Sequence, residues 1–276
     1  MLGRIRREAE SVTINGSGIQ GVQSATAQYN STAQPLGYLG IEEVGIAPQG
    51  PQTATLQLNT LLTNTLSPSA PVTSTEILQN FTGDIGFSGI VEHGSKNFIF
   101  TDGYMETYSV SCGIGEIPQI STSSVIFGEF GTGTLGAVPA DFYPSEVNIS
   151  SYSSMEINLD EFKTNRVNSF SIDIATPRVP LYTIGSDRPT GVIAGTPIEV
   201  NVNFALEIDD YEIKNMRFVP DETVFRNTTI TLKKNNSPVT LLTYSFDNMF
   251  LTSESFQGAA DSNAAVSFNL RTFILR

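Results

Sequence analysis

Only one histidine and one cysteine, His93 and Cys112, are available for proton transfer or covalent chemistry. Each role needs a partner within hydrogen-bond reach, and the spacing around both residues supplies none. His93 lies in Val91-Glu-His-Gly-Ser-Lys96, a turn-like segment with no Gly-x-Ser-x-Gly elbow or oxyanion donor set to go with it. It reads as an ordinary surface residue. One His and one Cys also exclude the usual zinc sites, and Cys112 reads as a small core residue. The acidic pairs Asp160-Glu161 and Asp209-Asp210 carry oxygen ligands of the kind Ca²⁺ takes. Adjacent side chains on a strand point to opposite faces, so solvated turns are the better reading. Asp84, Glu92 and Asp102 would have to converge in space to act as an acid/base pair, and no spacing argues for it. The glycine-rich Gly128-Glu-Phe-Gly-Thr-Gly-Thr-Leu-Gly136 lacks the Lys-Ser/Thr of a phosphate loop and reads as linker. The residues predict neither an enzyme nor a cofactor.

Charge narrows the partners. With 15 basic and 28 acidic side chains the formal net charge is −13, whereas binding nucleic acid by phosphate neutralisation needs clustered Lys and Arg. An acidic surface serves a polyanion differently, because a wall that repels phosphate cannot trap it. A single cysteine cannot form an internal disulfide, which fits synthesis in a reducing compartment. The opening residues, MLGRIRREAE, are charged where a secretory signal would be apolar, and no run of about 18 apolar residues could span a bilayer. The expectation is a soluble chain. Five Asn-x-Ser/Thr triplets, at Asn15, Asn30, Asn80, Asn148 and Asn227, would be glycosylation acceptors only in a secretory protein.

The elements that would hold these residues are mostly strands. Hydrophobic residues make up 39% and charged residues 16% of the chain, with no Trp, a balance suited to short strands and many turns. In Ile198-Glu-Val-Asn-Val-Asn-Phe204 the apolar residues alternate with polar ones, so one face is buried and the other wet. Hairpin patterns are expected over Gln23 to Leu58 and over Ser169 to Phe204. Short helices are expected at Ser74 to Phe81 and at Asp209 to Arg217, where caps or dipole-matched charges lead an apolar set.

The chain also repeats itself. Val22 and Ser24 precede Pro35 and Gly40 as Val167 and Ser169 precede Pro180 and Gly185, an offset of 145 residues. A later match sets Met105, Tyr108, Val110, Val125 and Phe127 against Phe246, Met249, Leu251, Val266 and Phe268 at an offset of 141. Two nearly equal offsets predict a duplication: an arm over 1–11, a first domain over 12–130, a linker over 131–154 and a second domain over 155–276.

The order Gly-Val-Gln-Ser, then Pro-Leu-Gly-Tyr-Leu-Gly, then an alternating strand resembles the tail tube (major tail) proteins of tailed bacteriophages. Thr176-Pro-Arg-Val-Pro-Leu-Tyr-Thr-Ile-Gly185 before Ile198 to Ile208, and Ser109-Val-Ser-Cys-Gly-Ile-Gly-Glu-Ile-Pro118, carry the same likeness. The resemblance implies a mainly β chain of two similar β-sandwich or half-barrel domains, each with a short flanking helix. It implies a homotrimeric, pseudo-hexameric ring, stacking into a virion tube that conducts DNA without reading its sequence. Other tail proteins would be its partners: tape measure, baseplate, terminator and sheath. Synthesis would be in the host cytoplasm, with no membrane partner.

On that reading Glu42, Glu43, Asp102 and Glu106 are expected at the bore. Arg4, Arg6, Arg7, Pro48, Pro51, Arg188 and Pro189 are expected at contacts between subunits or rings. The alternatives are a single-ring baseplate, hub or tail-completion component of the same fold, a surface β-sandwich adhesion module, and a two-carboxylate glycosidase, which the absent Trp and scarce His disfavour.

Overall fold

Alternation of apolar and polar residues sets the architecture. In Ile198–Glu207 the side chains of Ile198, Val200, Val202, Phe204 and Leu206 are buried and those between them are partly exposed, the two-residue period of a strand with one face on a core. The computed structural model describes residues 10–15, 17–19, 21–30, 33–37, 44–48, 52–61, 72–73, 83–93, 96–133, 155–160, 162–186, 188–207, 225–234, 237–259 and 262–274. Among these every regular element is a strand.

The first half supplies β1 (Glu10–Ile14), β2 (Ser17–Gly18), β3 (Val22–Asn30), β4 (Ala33–Gly37), β5 (Val44–Pro48), β6 (Thr53–Leu61), β7 (Val72–Thr73), β8 (Phe87–His93), β9 (Lys96–Gly113), β10 (Gln119–Ile126) and β11 (Phe130–Thr132). The second supplies β12 (Met155–Leu159), β13 (Phe162–Thr164), β14 (Val167–Ala175), β15 (Arg178–Leu181), β16 (Gly191–Ala194), β17 (Ile198–Glu207), β18 (Phe225–Lys233), β19 (Thr240–Ala259) and β20 (Ser262–Ile274). Sixteen strands form one sheet, while β4–β5 and β15–β16 stand apart as two-stranded hairpins.

The ladder is written twice. In the first half neighbours run β2-β1-β8-β9-β10-β6-β3, and in the second β13-β12-β18-β19-β20-β17-β14. Most equivalent strands keep nearly equal offsets: 145 residues from Val12 to Ile157, Ser24 to Ser169 and Pro35 to Pro180, and 146 from Asn59 to Ala205 and Ser111 to Gln257, with β8 to β18 at 139. Irregularities repeat as well. A bulge between Val22 and Ser24 recurs between Val167 and Ser169, and one between Phe87 and Gly89 recurs between Arg226 and Thr228. Among the described residues the four non-glycine positions with positive φ form two equivalent pairs, Asn15 with Asp160 and Asp102 with Asn248. Bulges and left-handed residues are costly local features, so their recurrence marks a common template.

The two expected helices fall on 74–81 and 209–217, outside the described residues. Two expectations are corrected. Glu10 and Ser11, assigned to the arm, pair with His93 and Glu92, while Gly131 and Thr132, assigned to the linker, pair with Ile99 and Phe98. The late match at 141 is not the structural one: Val110 corresponds to Phe256, not Leu251, because the ladders align at 146.

Two main cores follow from the ladder. The larger lies in the second half and takes in Tyr108, Val110 and Cys112 from β9, and the smaller gathers Val12, Leu56, Val91, Phe100 and Ile126 in the first.

Candidate functional site

The two halves join through the sheet itself. The last part of β9 pairs with β14, from Ser169 opposite Gly113 to Ala175 opposite Thr107. Val110 and Cys112 thereby enter the core of the second half beside Phe170 and Ile172. The main-chain N–H of Ile114 donates to Asn168 O at 3.0 Å and that of Thr176 to Glu106 O at 2.8 Å, closing both ends. Inside, the hydroxyls of Tyr108 and Tyr244 bond to each other, and burial pushes both phenols up. A second strand's edge is thus covered by the chain's own repeat.

The hairpin β15–β16 clamps this junction from one side. Arg178 is buried and donates from Nε to Met105 O (2.9 Å) and from Nη1 to Gly83 O (2.8 Å), with its guanidinium 5.7 Å from the Tyr104 ring centroid. Val192 packs with Tyr104, Val125 and Phe127, and the N–H of Ala194 donates to Asp84 Oδ1 at 3.0 Å. Near the turn, Arg188 pairs with Glu129 at 3.1 Å, both side chains exposed. Burial raises the Tyr104 phenol, as do the charges of Asp102 and Asp84, against the pull of Arg178. Burial raises the Glu106 carboxyl too, again against Arg178.

Opposite the core, the sheet presents small polar side chains in register. One rung runs Ser24, Asn59, Ser121, Ser109, Asp173, Asn201, and another Gln119, Ser111, Ser171, Asn203, Asn269, Ser253. Hydrogen bonds tie the rungs: Asn59 Nδ2 to Ser24 Oγ (2.8 Å), Ser109 Oγ to Asp173 Oδ1 (2.6 Å) and Asn203 Nδ2 to Ser171 Oγ (3.2 Å). Glu199 bonds Asn201 and pairs with Arg271 at 2.9 Å, partners that hold its carboxyl below the ordinary range. Two open depressions, about 680 and 510 Å³, lie on this face. It can meet a large polar surface without offering a cluster of cations.

Of the residues expected at the bore, Glu42 and Glu43 lie outside the described residues. Asp102 sits on β9 in a left-handed conformation and accepts from the N–H of Phe127 (3.1 Å). Glu106 occupies the irregularity where Met105 and Thr107 oppose Ser124 and Ser123, so it has no place in the rungs. Arg4, Arg6, Arg7, Pro51 and Gly40 also lie outside the described residues, as does the Pro48 side chain, though its backbone ends β5. Val22, Ser24, Val167 and Ser169 hold equivalent bulges, and Pro35 opposite Ile46 matches Pro180 opposite Val192. Gly185 has φ +91° in the turn before Arg188 and Pro189.

Among the described residues no group of three or more His, Cys, Asp and Glu side chains could hold a metal ion. Cys112 is buried, and Asp160 pairs with Arg226 at 3.0 Å. The sequence reading missed the polar rungs, although Ser and Thr at alternate positions 107, 109 and 111 or 119, 121 and 123 with Gln were their signal. Comparison with family models and with curated proteins returns no match.

Proposed function

We propose that the chain is a self-assembling structural subunit of the tail tube of a tailed bacteriophage, a conduit for DNA. The observation that carries this reading is the duplicated ladder joined through β9 and β14. A chain that already joins two copies of one domain by strand addition is built to be extended by the same operation. Repeating a heterologous contact closes a ring when the rotation permits. Three chains would place six domains in that ring, and stacked rings would form the tube.

On this reading the polar rungs line the bore. Asp173 is the charged member of the two rungs and the Glu199–Arg271 pair flanks them, so phosphates find hydroxyls and amides but no cationic trap. Asp102 and Glu106 stand outside the two rungs, and Glu42 and Glu43 lie outside the described residues. Tape measure, baseplate, terminator and sheath proteins would be the neighbours in the virion.

Electron microscopy of the purified chain tests the proposal. Long tubes with a regular axial repeat are the expected result. Isolated rings would point instead to a baseplate, hub or tail-completion role, and a stable monomer at high concentration would refute both.

A further inference from the structure

Among the described residues the internal junction has an unfilled counterpart at each end of the ladder. β3 is the equivalent of β14 and ends the ladder at one side. The last part of β19 is the equivalent of the stretch of β9 that receives β14. No strand among the described residues pairs with it on that side.

We infer that β3 of one copy adds antiparallel to β19 of a second copy in the register of the internal junction, with Thr26 opposite Gln257 and Ala27 opposite Phe256. The register follows from transferring Ser171 opposite Ser111 and Ile172 opposite Val110 by the repeat offsets, 145 for β14 and 146 for β9. It keeps faces matched: Thr26 and Gln257 continue the polar rungs, and Ala27 meets Phe256 on the core side.

Exposure of aromatic residues supplies an independent observation. Val110, Tyr104 and Phe127 are 0%, 8% and 6% exposed at the filled junction. Their equivalents Phe256, Phe250 and Phe273 are 37%, 41% and 49% exposed. Tyr104 and Phe127 are covered by Val192 of β16. The hairpin β4–β5 of the second copy, whose backbone register matches that of β15–β16, would lie over Phe250 and Phe273 as β15–β16 lies over Tyr104 and Phe127. The incoming strand and hairpin thus account for three exposed aromatic side chains with one contact, and the occupant is this chain itself.

The inference rests on the self-assembly proposed above, and the test separates the two. Thr26→Cys and Gln257→Cys are placed together in the full chain, where the native Cys112 is buried, and mild oxidation is followed by non-reducing electrophoresis beside negative-stain microscopy. Directly opposed residues bring their Cβ atoms to about 5 Å, near disulfide range. The expected result is a covalent ladder of multimers, at least fivefold more abundant than for Thr26→Cys with Ser253→Cys, which is four residues out of register. Rings or tubes with no such preference overturn the register and leave self-assembly standing. A chain monomeric under the microscope overturns both.

Phe256→Asp provides a second reading, since that side chain is already partly exposed and the single chain should keep its circular dichroism and melting temperature. Association should weaken at least tenfold, and unimpaired rings would overturn the inference.

Discussion

Arg178 is buried because its donors are used where they sit. Nε and Nη1 bond the carbonyls of Met105 and Gly83, and the guanidinium lies over Tyr104. Removing it leaves two carbonyls short of a charged donor and detaches β15 from the first half. Arg178→Ala should therefore cost about 2 kcal/mol in urea unfolding. Arg178→Lys should recover only part, because an ammonium lacks the planar fork that reaches both carbonyls. Glu106 makes a pH-dependent counterpart. Burial raises its carboxyl and Arg178 offsets part of that rise, so the native state binds the proton more tightly than the unfolded chain. Stability from this group is then greatest below the ordinary carboxylate value and is lost as pH rises through the raised one. Glu106→Gln should be more stable than the parent at pH 7, with the gap closing on acidification toward pH 4. A gap that widens on acidification would contradict the assignment.

At the scale of elements, recurring turns give the duplication an energetic test. Asn15 and Asp160 each adopt positive φ and each accept, through Oδ1, the N–H of the equivalent residue, Ser88 at 3.0 Å and Asn227 at 2.9 Å. Replacing either by Ala removes the bond and puts a Cβ-bearing residue without a compensating side chain in the left-handed region, about 2 kcal/mol in all. Asp160→Ala should cost more than Asn15→Ala by about 1 kcal/mol, since Asp160 also pairs with the buried Arg226. Matched urea titrations would check both values, and a cost at only one of the two positions would count against equivalent turns. The same elements explain what was legible in advance. From Val22 to Pro35 no insertion separates the copies, so identical residues at identical steps exposed the repeat. Later, β8 and β18 are offset by 139 residues, as Gly89 and Thr228 show, while β9 and β19 are offset by 146. An alternating strand matches itself at every even shift, and a bulge admits odd ones, so alternation found the strands without fixing their register. The polar rungs stayed hidden for a related reason: Ser and Thr between apolar residues announce a wet face, while their alignment across the sheet exists only once pairing is known.

For the whole molecule, charge and assembly pull in opposite directions. Each chain carries a formal −13, so bringing copies together costs electrostatic work that salt screens, with a Debye length of about 10 Å at 0.1 M. The seat inferred between β3 and β19 consists of main-chain hydrogen bonds and aromatic burial, neither of which salt weakens appreciably. Raising NaCl from about 0.02 to about 0.5 M should therefore shift sedimentation toward rings at fixed protein concentration. Contacts made by Arg4, Arg6 and Arg7 with an acidic neighbour would respond with the opposite sign, since salt screens attraction as readily as repulsion. Replacing all three arginines by Gln separates the cases: if strand addition dominates, rings persist and salt still promotes them. If rings dissolve in salt and vanish in the triple variant, the arm is the principal contact and the apolar seat is secondary. Phe250, Phe256 and Phe273, left exposed at the β19 end of the ladder, favour the first outcome, because a junction that buries them gains from the same hydrophobic effect that holds β14 against β9.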